Sequence, residues 1–216
     1  LSGVLAGLMQ FYFLGTAQFM QDMNISGKNV PASMAIAQAA QAIATFLFLG
    51  LAIETLGFKW TLVLGAGAWV AMYAIYLVEK PAWMIVISQS LHGVAYVFFI
   101  IVGQIFAATM APESIRSSMQ ALIFAATTGV GLFIGTQFAG IVMDRASVDG
   151  KFQWRRVWIV PGAIMLIGMI ALAIGFSDPP KEDKASEAPA KEAAMAPAQL
   201  DAPVVALANP ATTWQR

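Results

Sequence analysis

The sequence predicts a polytopic, all-α membrane protein, and three observations carry that prediction. Six long apolar stretches, almost free of charge, fill residues 1–176 of the 216. Hydrophobic residues make up 59% of the chain and charged residues 11%, where a soluble domain carries roughly 25% charged residues. The mean hydropathy is +0.71. A helix needs about 20 apolar residues to cross a hydrocarbon core of about 30 Å. Membrane β-strands run about ten residues with apolar–polar alternation, which these stretches lack. Backbone groups in lipid must be satisfied within the segment, so uninterrupted runs of this length must be helices.

The spans are placed by their punctuation. Span one covers residues 1–21 and gives way to the polar stretch DMNISGKN. Span two, 31–55, begins at Pro31, a residue tolerated in a first helical turn. LGFKW then makes a short turn into span three, 61–78, which stops at Glu79-Lys80-Pro81. Span four, 83–111, ends before Pro112, Glu113 and Arg116; span five, 117–143, ends at Asp144-Arg145. A polar loop with Asp149, Gly150 and Lys151 leads into span six, 154–176. Residues 177–216 are rich in Pro, Ala, Glu and Lys and bury too little apolar surface to offset ordering entropy, so a disordered tail is expected. The first residues already read as the interior of a span, with no basic leader segment or small-residue cleavage site. The expectation is a chain cut from a longer protein.

Composition removes several functions. There are no cysteines and one histidine, His92, which excludes thiolate chemistry, disulfides and multi-histidine metal or haem sites. A net charge of +0 argues against a nucleic-acid surface. The sequence has no G-x-S-x-G elbow, H-E-x-x-H motif or phosphate-binding loop. Ser88, Ser90 and His92 are too local to form a nucleophilic site, so no enzyme and no cofactor is expected. Orientation is not readable from charge, because alternate loops carry six cations on each side.

The informative residues are the polar ones inside the spans, since polar side chains in lipid normally face a bundle interior or a cavity. Span one carries Gln10 and the pair Gln18 and Gln21, three apart and so on one face. Span two repeats the pattern with Gln38 and Gln41, continued by Thr45. Span four places Gln89, His92, Tyr96 and Phe99 on one face at spacings of three and four. Amides offer donors and acceptors in a fixed fork, and rings can stack on a flat ligand. The set suits a neutral, planar, hydrogen-bonding solute better than an ion. The competing role for each glutamine is a bond to a neighbouring helix, worth about 0.6 kcal/mol; for His92 it is packing. Gly131 and Gly135 form a G-x-x-x-G pair in span five, with Gly129 and Gly140 alongside, a pattern suited to close helix approach.

Three stretches carry a family resemblance: AIETLGFKW after span two, SLHGVAYVFFIIVGQIF in span four, and APESIRSSMQALIFAATTGVGLFIGTQFAG leading into span five. Over residues 1–176 the chain resembles the C-terminal half of a major facilitator superfamily transporter, most closely the nucleoside:H+ symporter family. The resemblance implies spans seven to twelve of twelve and a bacterial inner-membrane location. It also implies a cytoplasmic tail, a missing N-terminal six-span half, and a cavity between halves that opens alternately to each side. Substrate-contacting residues then fall on Gln18 and Gln21 (family Q-x-x-N), on Gln38 and Gln41 (Q-x-x-E), and on His92 and Tyr96 (an aromatic pair followed by an acid). Gln41 and Val97 stand where the family has carboxylates. Proton symport needs a titrating group, so the candidates are His92 or the missing half, and loss of coupling is equally admissible. The implied partners are a nucleoside-like solute, protons and the lipid bilayer. A permease for a sugar or other metabolite, and a non-transporting membrane module, remain the alternatives.

Overall fold

The computed structural model describes residues 2–178, so the expected disordered tail lies, from residue 179 on, outside the described residues. Four helical runs are long and apolar enough to cross a membrane: Gly27–Val78, Ala82–Met110, Glu113–Arg145 and Trp154–Gly175. Ahead of them stand α1 (Ser2–Gly7) and α2 (Met9–Asp22), joined through Leu8, whose backbone stays right-handed helical. Asn24 at φ 67° ends α2. The Asn24 N–H donates to the Gln21 carbonyl and the Ile25 N–H to the Met20 carbonyl, the Schellman pair of bonds that satisfies the last carbonyls of a helix.

The 52-residue run comprises a 3₁₀ turn, α3 (Val30–Ile43), a π-helical segment (Ala44–Phe48) and α4 (Leu49–Val78). Inside α4, Gly57 adopts φ 75° and ψ 177°, a region open essentially to glycine alone. The helix therefore breaks within LGFKW, where the sequence places a turn. The Thr61 hydroxyl donates to the Gly57 carbonyl at 2.6 Å and to the Ala52 carbonyl at 3.1 Å, stitching the two sides of the break. The Asp178 carboxylate closes the same corner by accepting the Lys59 N–H at 2.7 Å.

The next run holds α5 (Ala82–Ile87), α6 (Gln89–Ala95), a π segment (Tyr96–Ile101) and α7 (Val102–Met110). After Pro112 come α8 (Arg116–Phe124), a third π segment (Ala125–Gly131) and α9 (Leu132–Arg145). The loop that follows is a small antiparallel hairpin, β1 (Ser147–Val148) against β2 (Lys151–Phe152). Asp149 and Gly150 both have positive φ, as its two-residue turn demands. α10 (Trp154–Gly175) completes the described chain.

Aromatic packing fixes the centre. Phe19 from α2, Tyr76 from α4 and Trp158 from α10 meet at ring-centroid distances of 4.9–5.3 Å, and Trp154 stacks on Trp158 at 5.7 Å. Glycines set the closest helix approaches. Gly3 and Gly7 of α1 lie on Gly131 and Gly135: a Cβ at Gly7 would come within 2.7 Å of the Gly131 carbonyl oxygen, and one at Gly131 within 2.8 Å of the Gly3 oxygen. Gly129 and Gly140 face open space, so they take no part in this packing. Phe46 is 85% exposed and Ile174 80%. Such an apolar exterior is the surface a bilayer solvates.

Candidate solute site

The candidate residues stand on three helix faces. On α2, Gln18 and Gln21 are both exposed. The Gln18 amide nitrogen donates to Asp22 Oδ1 at 2.9 Å, one turn on, while Asp22 Oδ2 accepts the Trp154 indole N–H at 2.8 Å. The Gln21 amide reaches back to the Ala17 carbonyl at 3.4 Å. Gln18 and Asp22 border a cavity of about 860 Å³ whose wall also includes Glu79, Lys151, Arg155 and Arg156. Gln38, Gln41, His92 and Tyr96 are not part of that wall.

On α3, Gln38 is exposed and Gln41 half-buried. This helix presses directly onto α6, because Gly93 meets the backbone of Ala37 and Gln41 and any Cβ there would collide with both. That contact sets the residue after His92 against the Gln41 backbone.

His92 lies deeper than its stripe suggests, at 3% exposure. Its imidazole stacks on the Tyr12 ring at 3.6 Å with a 9° interplanar angle, and the Phe13 ring meets its edge at 5.8 Å. The Trp69 indole N–H donates to His92 Nδ1 at 3.2 Å. A neutral imidazole accepting at Nδ1 carries its proton on Nε2. Tyr12 is itself buried, at 1% exposure, so the stack closes His92 off rather than presenting it. Tyr96, half-buried, begins the π segment, whose Phe99 packs edge-on to Trp69 at 5.7 Å. Gly65 makes room for this segment, since a Cβ there would lie 2.7 Å from the Phe99 nitrogen.

Other polar residues of the spans have structural partners. Gln10 donates to Thr136 of α9, and Gln89 donates to the Tyr76 hydroxyl at 2.8 Å. The residues the sequence left unread are Tyr12, Trp69, Asp22 and Trp154. Tyr12 and Trp69 are single aromatics in apolar helices, and their convergence on His92 has no local signature. Asp22 had one: it sits four residues after Gln18, the spacing of a side-chain pair on one helix face.

The fold matches solved transporters. The crystal structure of nucleoside transporter NupG superposes with a TM-score of 0.72 at 20% identity, covering 82% of this chain and 47% of that one. A mutant of the same transporter gives 0.74 over the same shares. The chain thus shares the fold of that transporter over the matched residues, and its four long apolar helical runs mark it as an integral membrane protein. A family model described as nucleoside H+ symporter matches residues 1–181, and the chain belongs to that family. Curated relatives include the xanthosine permease of Escherichia coli (strain K12), 26% identical over 155 residues, or 68% of this chain and 37% of the relative. The nucleoside permease NupG of the same organism is 25% identical over 131 residues, 59% of this chain and 31% of the relative. The chain thus spans well under half the length of these relatives.

Proposed function

We propose that the chain is the C-terminal six-helix half of a secondary active transporter that moves nucleosides, or similar neutral polar solutes, by alternating access. The observation that carries this reading is the nucleoside H+ symporter match over residues 1–181, laid on a bundle in which Gln18, Gln21 and Gln38 are exposed. Six crossings follow when Ser2–Asp22 is read as one helix through Leu8 and Gly27–Val78 is divided at Gly57. The match to 47% of the NupG chain supports a second half that completes the cavity. A bacterial inner-membrane location and a cytoplasmic tail rest on the family resemblance.

Gln18, Gln21, Gln38 and Gln41 supply amide contacts in this reading, and the half-buried Tyr96 supplies ring surface. The coupling proton is assigned to the other half rather than to His92, whose Nδ1 is occupied by the Trp69 N–H. One observation favours the second reading, a permease for another metabolite: Gln41 and Val97 replace the carboxylates that would accept ribose hydroxyls. Uptake of radiolabelled uridine and adenosine by the full-length protein in proteoliposomes, with and without a pH gradient, decides between them. If neither nucleoside enters nor competes, the nucleoside reading is wrong.

A further inference from the structure

Asp22 is an awkward residue for its position. It is the last residue of α2, where a negative charge opposes the partial negative charge of a helix C-terminus. Both of its carboxylate oxygens are nevertheless engaged, one by the Gln18 amide at 2.9 Å and the other by the buried Trp154 indole at 2.8 Å. Trp154 is held in turn by Trp158, Phe19 and Phe152, so the carboxylate is fixed from the bundle core.

A carboxylate accepts hydrogen bonds and cannot donate one. The Gln18 group facing Asp22 must therefore be the amide NH₂, and the Gln18 carbonyl oxygen is turned away from it. The normal ambiguity between the two ends of an amide is removed by chemistry alone.

We infer that Asp22 is a positioning residue that sets Gln18 as a hydrogen-bond acceptor for the solute, so that the site selects a hydroxyl or N–H donor at that point. This inference rests on the reading of Gln18 as a solute contact. It also supplies a neutral substitute for the carboxylates absent at Gln41 and Val97: an amide oxygen polarised by a bond from its own NH₂ to a fixed anion.

The test uses the full-length transporter and measures uptake of uridine against its 2′-deoxy, 3′-deoxy and 5′-deoxy analogues, with expression and thermal unfolding recorded for each variant. Asp22→Asn is nearly isosteric. With the asparagine oxygen held by Trp154, its NH₂ faces Gln18 and reverses that amide. The expected result is a uridine KM raised about fivefold, the scale of one neutral hydrogen bond, with Vmax per expressed transporter unchanged. The penalty for deleting one of the hydroxyls, present in the wild type, disappears in the variant. Adding Gln18→Glu to Asp22→Asn restores an acceptor and returns both the KM and the hydroxyl preference toward wild type. An unchanged analogue pattern in Asp22→Asn, or a lowered Vmax and unfolding temperature without a change in pattern, overturns the inference and leaves the nucleoside reading intact. A wild-type protein that takes up none of these nucleosides overturns both.

Discussion

The His92 imidazole lies flat on the Tyr12 ring, 3.6 Å away and 9° from parallel. The stack joins span four to span one, and it uses the face of Tyr12 rather than its hydroxyl, which has no hydrogen-bond partner among the described residues. Tyr12→Phe should therefore unfold at or above the wild-type temperature, because a buried polar group without a partner is a cost. Tyr12→Ala removes the ring and should lose about 3–5 kcal/mol. Thermal unfolding of the purified protein in detergent separates the two; a Phe variant as weak as the Ala variant would show that the hydroxyl, not the ring, matters.

The Trp69–His92 bond should appear as a pairwise coupling. Trp69→Phe and His92→Phe each leave one buried group without its partner, at about 1–3 kcal/mol. The double variant should cost less than the sum by about 1 kcal/mol. Strict additivity in a double-mutant cycle on unfolding would mean that the 3.2 Å contact contributes nothing.

The glycines of α1 and of span five should divide into two behaviours. Gly7→Ala and Gly135→Ala drive a methyl into the facing backbone and should disrupt the α1–α9 contact, with losses above about 2 kcal/mol or failure to express. Gly129→Ala and Gly140→Ala meet open space and should be neutral or gain up to about 1 kcal/mol of helix propensity. Equal behaviour of all four in a fluorescence-detected expression and melting assay would contradict the packing described.

At the Gly57 corner, alanine meets two obstacles: φ of 75°, and the Asp178 carboxylate 2.5 Å from the new Cβ. Gly57→Ala should cost more than about 1 kcal/mol. Asp178→Ala should cost about 1 kcal/mol, the worth of a side-chain cap on a free helix N–H. If Gly57→Ala melts like wild type, the corner is a continuous helix.

The helical nature of the chain was legible because lipid imposes a simple rule: long apolar runs bounded by Pro, Gly and charge. Gly57 marks its corner as clearly in LGFKW as in the backbone. The glycine contact between α1 and span five was half-legible, since Gly131 and Gly135 stand out while Gly3 and Gly7 lie in a run that reads only as apolar. The depth of His92 was not legible. Helical spacing puts Gln89, His92, Tyr96 and Phe99 on one face, but whether that face meets a cavity or another helix depends on Tyr12, eighty positions away. The hairpin at 147–152 is not legible as strands because its two-residue strands are shorter than any periodicity can register, although Asp149-Gly150 is a strong turn signal. The Asp22–Trp154 bond spans 132 positions, and nothing local announces it.

The indole column also gives the molecule a built-in optical reporter. Trp154 and Trp158 lie 5.7 Å apart and 14° from parallel, near enough to share excitation energy as one chromophore pair. One end of the pair is sealed in the aromatic core; the other hydrogen-bonds the carboxylate that holds Gln18. Light absorbed by the sealed ring can be emitted from the ring that reaches Asp22 and Gln18, whereas Trp60 and Trp83, both more than half exposed, report on the bilayer. Removing those two indoles and that of Trp214 by Trp60→Phe, Trp83→Phe and Trp214→Phe would leave, of the six in this chain, the buried Trp69 and the pair, with an emission weighted toward the surroundings of Gln18 and read without attaching any dye.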